Sequence, residues 1–443
     1  MHKVLILGLG KTGLSVAKFL NLKRIKFDAY DLKAQKSLEL DKLEYLNELY
    51  LSGDEPKVLD YDYCVIAPGI DPEKGFANKV IKSGIEVISE IELCLKYIKG
   101  KVIAITGTNG KTTTTAWVED VLKRAGLKAY ACGNIGVAFS EVVCKNDSED
   151  TYYVLELSSY QLERTESLCP VASVILNITE DHLARHKTME VYTDMKKKIF
   201  KKVVNKDRIV LNLDNDITKY ISNGIDGVGT FSITNKNAKF FVEDDFIVNS
   251  FDNYKILNRN DIFLKGEHNL ENALAVSYIA YLVGVDYRFI KESLTLFKGV
   301  EHRNEFVLEV NGVKCYNDSK ATNPEASIPA LRSMDTNTVL IAGGMDKGNS
   351  YDVWVDEFKK VKYVILFGET KFDIETVLIK KGFSNYSIVN TLEEAVEKAK
   401  MIAEKGEAIL LSPACASWDM YESFEQRGNE FKELIYRWKN EIV

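Results

Sequence analysis

The chain has 443 residues, too many for one ordinary core at roughly 100–200 residues per domain, and three domains are expected. A content of 46% hydrophobic and 28% charged residues excludes a disordered or fibrous protein, and a formal net charge of −7 opposes nucleic acid and anionic membrane surfaces as partners. The seven cysteines are odd in number and never form a C-x-x-C pair, which argues against a disulfide framework or a zinc knuckle and for reduced, mostly core thiols.

The first residues run straight into "HKVLILGLG", with no basic region, apolar stretch and cleavage site, so a cytoplasmic protein is expected. Strand-like "KVLILG", a helical pattern over "GLSVAKFLNLK", then "KFDAYD", "YCVIAPGI" and "IEVISE" alternate as in a parallel sheet covered on both faces. A second unit begins near residue 101 with "KVIAITGTNGKTTTT" and the helical "AWVEDVLKRAG", and continues through "TYYVLELSS", "VASVILN" and "RIVLNLD". A strand-rich patch follows, "GTFSI", "AKFFVE" and "DIFL", then the helix "NLENALAVSYIAYLVG", which is shorter than the ~20 apolar residues of a membrane span. After "FKGVEHRNEFV" a third alternation begins at "NTVLIAGG" and runs through "YVILFG", "SIVN" and "EAILLSPA". The expected domains are 1–97, 98–300 and 301–443.

Two glycine loops compete as nucleotide sites. "GLGKTG" places Gly8, Gly10 and Gly13 in the G-x-G-x-x-G pattern, and Asp31 ends the next strand 23 residues after Gly8. That is a dinucleotide fingerprint, with Asp31 suited to a ribose hydroxyl, but the same glycines serve another nucleotide or a bare tight turn equally well. "GTNGKTT" departs from the usual phosphate-loop spacing, since Ile105 stands where a glycine is expected. It still offers amides at Gly107, Thr108, Asn109 and Gly110, the charge of Lys111 and the hydroxyls of Thr112 and Thr113 at a helix start, which together form a cradle for ATP phosphates.

Further candidates stand at strand ends. Glu156 closes "YYVLE", where a carboxylate holds magnesium beside Thr112 or is simply solvated. His182 and His186, four apart in a polar loop, suggest zinc without an obvious third ligand. Four of the five histidines fall in loop-like segments. "MKKKIFKK" reads as a solvated helix face. Asn269 and Asn272 in "GEHNLEN" are nucleotide contacts, or Asn269 is a helix cap. Arg303 suits a γ-phosphate, and Asp318, Lys320 and Thr322 in "NDSKATN" stand at another strand end, the whole set suggesting a cleft between domains.

In order and wording, "GTNGKTT", "LELSSYQLE", "NITEDHLARH", "GEHNLENALA", "HRNEF", "NDSKATNPEA", "GGMDKG" and "LSPACASWDMYESFEQRGNEF" resemble the ATP-dependent Mur ligases of peptidoglycan synthesis across the whole chain, and the last motifs resemble the branch that adds D-glutamate. The resemblance implies an α/β protein of three domains: a Rossmann-like N-terminal domain, a central P-loop ATPase-type mononucleotide-binding domain and a Rossmann-like C-terminal domain. It replaces NAD with a uridine diphosphate sugar, UDP-N-acetylmuramoyl-L-alanine, held at Thr12, Asp31, Gly69, Asn134, Ser158 and Gln161, and leaves Lys11 without a role. ATP is held at 107–113, Asn269, Asn272, Arg303 and Asp318. Two Mg2+ ions are held by Thr112, Glu156, His182 and a carbamylated lysine, Lys196, with Lys197 as its alternative. Lys111, Glu156, His182 and Lys196 are the implied catalytic set. D-glutamate is held at Lys320, Thr322, Lys347, Ser417 and Phe424. A monomer that forms an acyl phosphate and closes its third domain over the substrates is expected. The rivals are a folylpolyglutamate-type or other Mur ligase, and a non-catalytic nucleotide-dependent binding protein.

Overall fold

The computed structural model of the chain describes residues 3–32, 40–181, 183–346 and 348–441. Among these residues the strands form three sheets. β1 (Lys3–Leu7), β2 (Lys26–Asp31), β3 (Leu46–Leu51), β4 (Tyr63–Ile66) and β5 (Glu86–Ile88) make a parallel sheet in the order β3-β2-β1-β4-β5. β1 and β4 are continuous apolar runs because both faces are covered. The helix Lys11–Leu22 buries Val16, Ala17, Phe19 and Leu20. It lies so close to the preceding turn that a Cβ on Gly13 would overlap the Gly8 carbonyl oxygen.

The second sheet contains β6 (Lys101–Thr106), β7 (Lys128–Gly133), β8 (Thr151–Glu156), β9 (Ala172–Ile175), β10 (Ile209–Asn212), β11 (Gly229–Ser232), β12 (Phe240–Glu243), β13 (Phe246–Asn249) and β14 (Tyr254–Asn258). Its order is β14-β13-β12-β11-β10-β9-β6-β8-β7. Pairing is parallel from β7 to β12 and antiparallel from β12 to β14. Two readings are corrected here. "DIFL" is not a strand: it follows β14, and its first residue closes a 3-10 turn, Arg259–Asp261. The strands β13 and β14 come before it, and β12 turns back into β13 through Asp244 and Asp245, both left-handed with φ of 49° and 64°, as a two-residue hairpin requires.

The third sheet takes β15 (Glu305–Val310), β16 (Val313–Asn317), β17 (Thr338–Ala342), β18 (Val361–Leu366), β19 (Tyr386–Ile388) and β20 (Ala408–Leu411) in the order β15-β16-β20-β17-β18-β19. It does not begin at "NTVLIAGG". An antiparallel hairpin, β15 and β16, precedes that segment, joined by Asn311 and Gly312 with φ of 50° and 79°.

The chain divides into two compact units, Met1–Phe297 with the first two sheets and Lys298–Val443 with the third. Within the first unit, the short helix Glu90–Leu95 carries a buried polar seam between the sheets. The Glu90 carboxylate accepts from the Ser140 N–H and hydroxyl, both at 2.7 Å. Glu92 accepts from the N–H groups of Glu166 and Ser167 at 2.8 and 2.9 Å. These bonds satisfy carboxylates that burial would otherwise leave very costly. No helix among the described residues is long and apolar enough to cross a membrane.

Candidate active site

The phosphate loop leaves β6 and enters the helix Lys111–Arg124, whose cap, Gly110, is left-handed at φ 82° and offers no side chain to the first amides. A helix start of this kind suits an anion. The loop is stitched to the segment after β9: Thr108 N–H donates to the Asn177 carbonyl at 2.9 Å and Asn109 N–H to Asn177 Oδ1 at 2.8 Å. Lys111 Nζ folds back onto the carbonyls of Gly107 and Thr108, at 2.9 and 2.7 Å. Thr112 is buried behind the loop, and Thr113 is half-buried.

Asn272 is buried against this helix, its Oδ1 accepting from the Thr114 hydroxyl at 3.2 Å. Asn269 lies one turn away, 3.4 Å from Asn272. Asn269 is not a helix cap: it sits inside the helix Glu267–Leu282, which Gly266 caps, and its amide donates to the Lys265 carbonyl at 2.9 Å.

Glu156 ends β8, the strand beside β6. It is 1% exposed, so the solvated reading is wrong for this carboxylate. Its Oε1 accepts from Asn134 Nδ2 at 2.7 Å, while its buried Oε2 meets no hydrogen-bond partner among the described residues. A bare buried carboxylate oxygen is expensive, and a cation would relieve that cost.

The lysine run also departs from a uniformly solvated face. In the helix Met189–Lys197, Lys196 is 1% exposed and its Nζ donates to the Gly107 carbonyl at 2.8 Å, the acceptor that Lys111 also uses. One turn before it, the Tyr192 ring lies 4.6 Å from the same Nζ. Burial first, then the charge of Lys111, hold the Lys196 amine well below the usual lysine range. Lys197 is turned outward and pairs with Asp194 at 2.9 Å. The separation follows from helical geometry, because only the i, i+4 partner of the buried Tyr192 shares its inward face.

Of the described histidines, His302 lies in a turn as expected, but the other two are helical. His268 is the second residue of its helix, and His186 lies in the short helix Leu183–His186. The His186 ring is buried between those of Tyr160 and Tyr192, with Nε2 2.9 Å from the Ser159 hydroxyl. Among the described residues no cluster of His, Cys, Asp or Glu suits a metal by itself. His182 lies outside the described residues, as does Lys347.

Of the expected nucleotide-sugar residues, Thr12 and Asp31 lie at the first glycine turn, Gln161 lines a groove, and Asn134 is bonded to Glu156. Thr12 is in the first turn of the helix Lys11–Leu22, and Asp31 Oδ2 accepts from the Leu9 N–H at 2.6 Å, which fixes the carboxylate at that turn. Gly69 is exposed in the loop after β4, and Asn134 follows β7. Ser158 and Gln161 form a reciprocal capping box on the helix Ser159–Glu163. Gln161, Ile70, Tyr160, Arg164 and Arg185 line one groove. Arg185 spans it, pairing with Asp71 at 3.1 Å and Glu163 at 2.9 Å.

In the second unit, Arg303 is exposed and Asp318 is buried at the end of β16. Asp318 accepts from the Ser412 hydroxyl at 2.6 Å and the Asn304 N–H at 3.0 Å, yet burial pushes its carboxyl up to about 7. Lys320 N–H donates to the His302 carbonyl at 2.9 Å. Thr322 is half-buried, Ser417 buried, and Phe424 opens the helix Phe424–Glu441. Sequence reading missed Arg427 as a member of this group, although it lies in the quoted "FEQRG". It is fully buried and donates to the Ser319 hydroxyl and carbonyl at 3.0 and 2.9 Å, and to the carbonyls of Cys415 and Ala416 at 3.0 and 3.2 Å. One guanidinium thus ties the loop of Lys320 to the loop of Ser417.

Comparison with known proteins gives three family matches in chain order: the Mur ligase MurD-like N-terminal domain over residues 2–89, the Mur ligase middle domain over 105–280, and the Mur ligase glutamate ligase domain over 302–415. The chain is 43% identical to a UDP-N-acetylmuramoylalanine--D-glutamate ligase of Caldicellulosiruptor saccharolyticus, over 98% of each chain. It is 44% identical to the enzyme of the same name from Clostridioides difficile, again over 98% of each. In fold it is similar to the UDP-N-acetylmuramate-alanine ligase of Thermotoga maritima, with a TM-score of 0.60 at 18% identity, covering 99% of this chain and 100% of that one.

Proposed function

The chain belongs to the Mur ligases, and from that premise we propose that it joins D-glutamate to UDP-N-acetylmuramoyl-L-alanine at the expense of ATP, in the synthesis of peptidoglycan precursors. The observation that carries the reading is the surroundings of the phosphate loop: two lysine amines meet at the Gly107 carbonyl, and a buried glutamate on the adjacent strand keeps one oxygen bare. A binding protein has no need of such an arrangement, whereas phosphoryl transfer to a carboxylate does.

The donor set suits divalent cations: a hydroxyl at Thr112, a carboxylate oxygen at Glu156 and an imidazole at His182. Lys196 completes it once carbamylated. Its nitrogen bonds to CO2 and releases one proton, a reaction of the neutral amine, which burial favours. Magnesium held by these residues, two ions in this reading, would supply the charge neutralisation that lets a carboxylate approach a triphosphate. Lys111 contributes to the same end, since its ammonium leaves the loop carbonyls for a γ-phosphate oxygen. The alanyl carboxylate attacks that phosphorus to give an acyl phosphate and ADP. The D-glutamate amine then attacks the acyl carbon, and phosphate leaves.

Residues 107–113 of the loop, Asn269, Asn272, Arg303 and Asp318 hold the nucleotide in this reading, with the Thr108 and Asn109 N–H groups spent on Asn177. Thr12, Asp31, Gly69, Asn134, Ser158 and Gln161 hold the UDP-sugar, and Lys320, Thr322, Lys347, Ser417 and Phe424 hold D-glutamate. A coupled ADP-release assay tests the reading. D-glutamate together with the muramoyl-alanine nucleotide is expected to stimulate ADP formation, and L-glutamate with a folate is not. Stimulation by the folate pair, or ADP release indifferent to both, overturns it.

A further inference from the structure

The loop between β7 and the helix Phe139–Asn146 joins two sites to which the proposed chemistry gives different substrates. At one end, Asn134 grips Glu156 twice: its N–H donates to the Glu156 carbonyl at 2.9 Å, and its Nδ2 to Oε1 at 2.7 Å. At the other end, the Gly136 carbonyl accepts from Lys11 Nζ, and Lys11 is the first residue of the helix that follows the glycine turn of the first sheet. The loop between these grips is closed by the Gly133 N–H on the Val137 carbonyl at 2.9 Å. Just beyond it, Ser140 is fixed by Glu90 and by the Ser15 hydroxyl at 2.6 Å, so the loop is braced on both flanks.

The consequence falls on Glu156. Asn134 occupies Oε1 and leaves Oε2 as the bare buried oxygen. A carboxylate that holds a cation needs a partner on its other oxygen to fix its orientation, and Asn134 meets that need. Lys11 sits in the motif position for which neither the sequence pattern nor the resemblance supplied a role, and its ammonium holds the strut in place from the first sheet.

We propose that Asn134 is a positioning residue for the metal-holding Glu156, and that Lys11 supports it through Gly136, so that cation affinity at the phosphate loop depends on a lysine in the nucleotide-sugar turn. The proposal rests on the reading of Glu156 as a cation ligand and goes beyond Asn134 as a sugar contact. The test titrates manganese(II) into the full-length enzyme with a non-hydrolysable ATP analogue and reads free metal by electron paramagnetic resonance. Asn134→Ala is expected to weaken manganese binding about 10- to 100-fold, the range seen when the partner of a ligand is removed. Lys11→Met should weaken it by a smaller factor, and Lys11→Arg should restore it. Asn134→Ser, too short to reach Oε1, replaces the alanine variant if that one does not fold. Wild-type manganese affinity in the Asn134 variant, with only the KM for the nucleotide sugar raised, overturns the proposal. A Glu156→Gln control separates the two levels: if that variant binds manganese normally, the reading of Glu156 fails, and with it the premise.

Discussion

Lysine 196 and its neighbour show how much one residue's surroundings matter. Both belong to the same run, but Lys196 is buried on the phosphate loop and Lys197 is paired at the surface with Asp194. Lys196→Ala is expected to lower kcat about 100- to 1,000-fold, the usual loss when one electrostatic group of a site is removed, and the proposed carbamate further requires partial rescue by a short carboxylic acid. Lys197→Ala should stay within a few-fold of wild type. Equal losses in the two variants would contradict the assignment. Asp318 provides a pH prediction. Its folded-state pKa is about 7, raised by burial above its ordinary value. The folded state therefore binds more protons than the unfolded one between about pH 4 and 7, and stability falls as pH rises through that window. Denaturant titrations of Asp318→Asn should show a flatter dependence over the same window. An unchanged slope would place the titrating group elsewhere.

At the scale of elements, the glycine turn of the first sheet works by close approach. A methyl group at Gly13 would overlap the Gly8 carbonyl oxygen, which must move together with the helix Lys11–Leu22. Gly13→Ala is expected to destabilise the protein by about 3 kcal/mol, the upper end of ordinary overpacking costs, and to lower its affinity for the nucleotide sugar. A melting temperature equal to wild type would show that the turn can relax. The missed hairpins lie at the same scale. "EVNGVK" carried an Asn-Gly turn signal between apolar runs, and "VEDDFIV" an Asp-Asp one. Both were legible, but the first was absorbed into a strand-helix rhythm that suited its neighbours, and the second lay inside a patch read as strands without its turn. "DIFL", apolar and short, had no turn chemistry to mark it as anything but a strand.

For the whole molecule, ligand linkage gives the most direct check. A non-hydrolysable ATP analogue at 100 times its Kd should stabilise the folded protein by about 2.7 kcal/mol, and Lys111→Ala should remove most of that gain at the same concentration. Undiminished stabilisation in the variant would move the triphosphate away from this loop. The parallel alternation, the strand-loop-helix order around Gly107–Gly110 and the strand-end positions of Glu156 and Asp318 could be read from the chain, because each depends on periodicity or motif within about a dozen residues, and parallel strands deliver their following loops to one edge. The folded coordinates were needed to establish that Lys196 rather than Lys197 turns inward, that Asn134 takes one oxygen of Glu156 and leaves the other bare, that Arg427 binds two loops, and that Glu90 seals the seam between two sheets. Each of these depends on partners 11 to 108 positions away, such as Gly107 for Lys196 and Ser319 for Arg427. Burial and hydrogen-bond satisfaction are properties of packed neighbours, and no local pattern along the chain encodes them.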